Sequence, residues 1–196
     1  MLLPHATAVT VPPSATPVSL AEIKDYLKVQ HDEDDADLAA LLKAATGIVE
    51  RMAGLYLMPQ TVEISFSELC GDRVELPVWP IRAVSSVQYA DADGATQTWD
   101  SGDYQTWLAH RPPLIAPAYG EPWPTTRAGL MRAAWVTCTV GYANAAAVPE
   151  EAKDPVRRIV AHAYANKGDG KDPTGELGVP PAAVRFIEYL RQDFYR

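Results

Sequence analysis

The chain has 196 residues, of which 47% are hydrophobic and 21% charged, and its formal net charge is −8. A chain this long buries roughly 70% of its unfolded surface as one domain, or one domain with an insertion, and needs no covalent staples. The acidic balance argues against a sequence-reading nucleic-acid binder, which carries a basic face; it does not exclude a protein that DNA slides past, because an acidic wall repels phosphate.

Residues 1–17 hold four prolines among small polar residues, which predicts an extended, mobile arm. Pro4 breaks the only apolar start, so no leader peptide is expected. No window reaches the length of apolar sequence that spans a membrane.

Residues 18–58 read as two helices. Ser19 and Glu22 form the S-x-x-E pattern of a capping box, with Val18 and Ile23 at the two positions of a hydrophobic staple. The second helix starts near Asp34. Its apolar stripe is Leu38, Leu41, Leu42, Ala45, Ile48, Val49 and Met52, spaced by three and four. Gly54 is placed to end it.

Residues 59–147 read as β-rich. Val62, Ile64 and Phe66 alternate with polar residues. Val74 and Leu76 follow a Gly71-Asp72 turn. Val87 and Tyr89 run into Asp93-Gly94, a hairpin signal, and Thr96 and Thr98 sit on the partner strand. Tyr104, Thr106 and Leu108 mark a further strand. Residues 111–127 contain five prolines, which predicts a long surface loop with no central strand. Val136, Cys138 and Val140 then alternate in a last strand.

Residues 148–179 open with a short turn. Asp154 is placed as an N-cap and Pro155 at the first helical position, followed by the apolar face Val156, Ile159, Val160, Ala163 and Tyr164. A glycine-rich loop leads to residues 180–196. There Val184, Ile187, Leu190 and Phe194 form one helix face, broadened by Phe186, Tyr189 and Tyr195.

No catalytic pattern emerges. The run His31-Asp32-Glu33-Asp34-Asp35-Ala36-Asp37 lacks the glycine and distal glutamate of a calcium loop and suits the positive end of a helix dipole instead. His5, His31, His110 and His162 stand apart from one another and from Cys70 and Cys138, so no zinc spacing exists. Both cysteines are read as reduced core thiols. Phosphate-binding glycine loops and a nucleophile elbow are absent. The sequence therefore predicts no enzyme, no cofactor and no metal. Trp123 and Tyr119, in the proline-rich loop, are candidate contact residues, against the equal alternative that the loop folds back on the sheet.

Four segments in order, VSLAEIKDYLKV with LAALLKAATGIVER, LPVWPIRAVSSVQYADADG, VTCTVGY with VPEEAKDPVRRIVAHAYANKGD, and LGVPPAAVRFIEYLRQDFYR, resemble the head–tail connector (adaptor) proteins of long-tailed phages and gene transfer agents. The resemblance implies an α+β fold in which N- and C-terminal helices form a small bundle around an inserted antiparallel β-rich region. It implies a structural protein, made in the host cytoplasm and placed in the virion neck. Such proteins form a ring of about twelve copies below the portal protein, extend the DNA channel and offer a platform to a stopper or tail-terminator protein. DNA passes through without specific binding, and no membrane is involved. The terminal helix is then the portal-docking element, with Arg185, Phe186, Tyr189, Arg191, Phe194, Tyr195 and Arg196 as contacts. The alternatives are another neck protein, such as a stopper or tail-completion subunit, and a small metal-dependent enzyme built on the acidic run.

Overall fold

In the computed structural model of the chain, residues 6–166 and 179–192 are described. They form two compact units, each assembled from two separated stretches of sequence. The fold is mixed α+β, with four α-helices and two antiparallel sheets among the described residues.

The helical unit comprises residues 14–58 and 142–196. Helix α1 (Leu20–Leu27) starts at the predicted capping box: the Ser19 amide donates to Glu22 Oε2 at 2.7 Å, and the Glu22 amide to Ser19 Oγ at 3.2 Å. The staple residues Val18 and Ile23 are both fully buried. Helix α2 (Asp35–Ala53) buries Leu38, Leu42, Ala45, Val49 and Ala53, and ends on Gly54 with φ of 69°, a conformation that glycine adopts without strain. Thr46 is also buried on that face, and its hydroxyl donates to the Leu42 carbonyl at 2.7 Å.

Helix α3 (Glu150–Ala165) differs from expectation. It begins after Pro149 and runs through Pro155, so Asp154 caps nothing. Pro155 lies in the second turn and removes one internal bond, to the Glu151 carbonyl. Its ring is buried, and Lys153 and Arg157 clamp Glu150 at 3.1 and 2.9 Å across the same turns. Burial and these pairs outweigh the missing bond. Helix α4 (Pro181–Gln192) packs against α2 and α3.

The β unit comprises residues 1–13 and 59–141. Its larger sheet has the order β1-β2-β8-β4-β5, from β1 (Ala6–Val11), β2 (Gln60–Phe66), β8 (Ala134–Val140), β4 (Ile81–Ala90) and β5 (Thr96–Trp99). The central strand β8 alternates buried and half-buried positions, which is the period of two that its sequence predicts. Val62 pairs with Cys138 and Ile64 with Val136, and all four are fully buried. Residues 6–11, expected to belong to a mobile arm, instead pair as β1 against β2. The prolines at 12 and 13 lie just beyond that strand and do not interrupt it.

The second sheet, β3-β7-β6, joins β3 (Val74–Glu75), β7 (Leu114–Pro117) and β6 (Tyr104–Trp107). Strand β7 lies within the stretch expected to be only loop, and it is central. Its last residue, Pro117, is opposite Tyr104 at the end of the strand, and the amides of Leu114, Ile115 and Ala116 remain available. Trp99 of β5 contacts Tyr104 of β6 and Trp123, with ring centroids 5.2 and 5.3 Å apart, and this aromatic cluster joins the two sheets.

Candidate interaction surfaces

Among the described residues, no group of three or more His, Cys, Asp or Glu side chains could hold a metal ion. The acidic run is tied up locally. Lys24 Nζ reaches Asp32 at 2.5 Å and Asp35 at 2.6 Å, and its ammonium holds the Asp32 carboxyl below the usual range. Tyr164 donates its hydroxyl to Asp34 at 2.6 Å. These contacts give the run the structural work of joining α1, α2 and α3.

His5 lies outside the described residues, and the described histidines each have local partners. His110 Nδ1 lies 2.7 Å from the Pro112 carbonyl, and His162 faces Asn166 on its own helix. Of the two thiols, Cys138 is in the core, where burial pushes its pKa up to about 12. Cys70 corrects the sequence reading: it is exposed, near Glu68. Its position in a turn between β2 and β3 gave no periodic signal from which exposure could be read.

Helix α4 divides its residues between two faces. Ala183 and Ile187 are buried, Val184 and Leu190 half-buried. Arg185, Phe186, Tyr189 and Arg191 are exposed, Tyr189 at 59%. Phe194, Tyr195 and Arg196 lie outside the described residues. Two residues not singled out by sequence adjoin this outer face. The Arg158 guanidinium of α3, paired with Asp154 at 2.5 Å, sits 5.5 Å from the Phe186 ring centroid. Tyr26 of α1, also exposed, lies near the same guanidinium. The surface thus combines aromatic rings with cationic side chains, the chemistry of an interface hot spot.

The proline-rich loop separates its two candidates. Trp123 folds back: its indole donates to the Gly71 carbonyl at 2.6 Å and its ring lies on Trp99. Tyr119 is fully exposed at a turn. Met131, further along the same connection, is also exposed and escaped the sequence reading, because one Met in a loop carries no pattern.

No protein-family model matches the chain, and no curated protein matches it. Solved structures do. A chain from the neck of an empty gene transfer agent (GTA) particle, computed with C6 symmetry, is 21% identical with a TM-score of 0.78, covering 95% of each chain. A chain from the virion of a native GTA particle is 22% identical with a TM-score of 0.74, covering 94% of each. A chain from the neck of a native GTA particle, computed with C12 symmetry, is 25% identical with a TM-score of 0.70, covering 97% of this chain and 94% of the other. Over nearly its whole length, therefore, this chain has the fold of chains found in the virions and necks of gene transfer agent particles.

Proposed function

We propose that this protein is a structural subunit of the neck of a phage-like particle, and within the neck a head–tail adaptor. Copies form a ring below the portal protein, continue the DNA channel and present a platform to a stopper or tail-terminator protein. One observation carries the reading: the fold corresponds over almost the full length to chains of GTA particles, two of them from necks computed with sixfold or twelvefold symmetry. The acidic balance supports a channel that releases DNA. The segment 180–196 is the portal-docking element in this reading, supported by the aromatic and cationic outer face of α4.

Deleting the gene in the producing cell and imaging the particles tests this. The expected result is heads that keep their portal and lack tails, restored by complementation. In restored particles, the subunit's density lies directly against the portal. Density one layer further out would make it a stopper instead. Normal tailed particles without the gene would overturn the neck assignment altogether.

A further inference from the structure

The larger sheet of the β unit ends in two edges of unlike character. At one end, β1 pairs only with β2 among the described residues. All six of its residues are exposed, Val9 at 49% and Val11 at 56%, although Val9 lies opposite the fully buried Val62. Its sequence, ATAVTV, contains no charge and no proline. Natural edge strands are usually protected by charge, proline, a bulge or a covering element. The pairing of β1 shifts register between Val9 and Val11, and from Ala6 to Val9 none of these devices is present.

At the other end, β5 pairs only with β4 among the described residues. Thr96, Gln97 and Thr98 are exposed and uncharged. Aspartates flank this strand: Asp91 and Asp93 lie in the preceding turn, Asp100 and Asp103 just beyond. Asp91 fixes the turn by accepting from the amides of Asp93 and Ala95 and from the Gln97 side chain.

We propose that β1 of one copy adds to β5 of the next, joining the sheets of neighbouring subunits head to tail. Charge decides between the possible pairings. Two β5 edges would bring two sets of four aspartates together, which like-charge repulsion disfavours. Two β1 edges would form a two-fold contact, which closes at a pair and builds nothing larger. The neutral β1 against the aspartate-flanked β5 avoids both problems, and a heterologous contact of this kind propagates until it closes. Backbone groups on both edges gain partners, and the exposed valines of β1 gain cover. Because β5 offers only four residues, the contact is weak by itself, so assembly depends on concentration or on a template.

This inference rests on the ring-forming neck reading, and the experiment separates the two. One variant carries Thr7→Asp and Val9→Asp on β1, and a second carries Thr96→Asp and Thr98→Asp on β5. All four positions are exposed, and an unchanged thermal melt confirms folding. Mass photometry or sedimentation over a concentration series, with and without portal-bearing capsids, reads assembly. Wild type is expected to form rings; each variant alone is expected to stay monomeric to at least about tenfold higher concentration. A mixture of the two variants retains one intact β1 and one intact β5, and is expected to stop at pairs. Oxidative cross-linking of Ala8→Cys with Thr98→Cys in a Cys70→Ser background reads the same contact without added charge, and should give a ladder of covalent oligomers. Rings from both variants with no such ladder would overturn the edge contact while leaving the neck reading intact. Assembly lost in only one of the two variants would also overturn it, since the proposed contact needs both edges. Wild type that neither assembles nor joins capsids would overturn the neck reading along with it.

Discussion

Cys138 and Cys70 show how one residue type acquires opposite behaviour from its surroundings. Strand β8 carries Cys138 into the core, where nothing solvates a thiolate, and its pKa rises to about 12. Cys70 is exposed. Under native conditions near pH 8, iodoacetamide should therefore label one thiol per chain, rising to two in denaturant; mass spectrometry counts them. Two labels in the folded protein would contradict the burial. The same shift has a consequence for stability. Below pH 9 the thiol is neutral in both folded and unfolded chains and costs nothing. As pH rises from about 9 towards about 12, the unfolded chain ionises and the folded one does not, so stability falls, by at most about 4 kcal/mol. Replacing Cys138 with Ala should flatten this alkaline limb of the denaturation profile. The burial of Cys138 was legible because its strand alternates for seven residues. Cys70 had no such register, and its exposure was not.

At the scale of elements, local signals were read well and contextual ones were not. The cap of α1, the stripe of α2 and the Asp93-Gly94 hairpin each depend on residues within a few positions of one another. Strand β1 was missed because threonine, alanine and two valines between prolines and the chain start carry no period, and only the neighbouring β2 makes them a strand. Strand β7 was missed because prolines suggested a loop, although Pro112 and Pro113 precede the strand and Pro117 is its last residue. In α3, Pro155 was weighed by its own cost and not against the burial of its ring. Helix α4 allows a direct test of its two faces. Ile187→Ala removes a buried side chain and should lower stability by about 2–4 kcal/mol in chemical denaturation. Phe186→Ala with Tyr189→Ala should lower stability less than Ile187→Ala, since Tyr189 is 59% and Phe186 37% exposed against 1% for Ile187. On the adaptor reading, this double variant no longer joins portal-bearing capsids. A double variant that unfolds, or one that still attaches at wild-type level, would refute the docking role of that face.

For the whole molecule, the balance of charge decides how it treats DNA. Seventeen basic residues face twenty-five acidic ones, and several of the basic side chains, Lys24, Lys153, Arg157 and Arg158, are already paired with carboxylates. The excess of carboxylates over cations leaves a net charge of −8, which opposes the close approach of phosphate. Anisotropy titrations with duplex DNA at 50 mM salt, where phosphate contacts are strongest, should show no sub-micromolar binding. Tight binding there would sink the idea of a passive channel wall. The resemblance visible in the sequence and the full-length likeness to GTA neck chains agree at this scale. The residues that touch each neighbour do not follow from sequence, because an interface leaves no period in one chain.

The division of each unit between two stretches of sequence has a mechanical consequence. The chain passes from one unit to the other three times, near residues 13, 58 and 141. Cutting any one of these passages leaves two covalent tethers in place. A single backbone cut at any of the three passages therefore leaves the two units covalently joined.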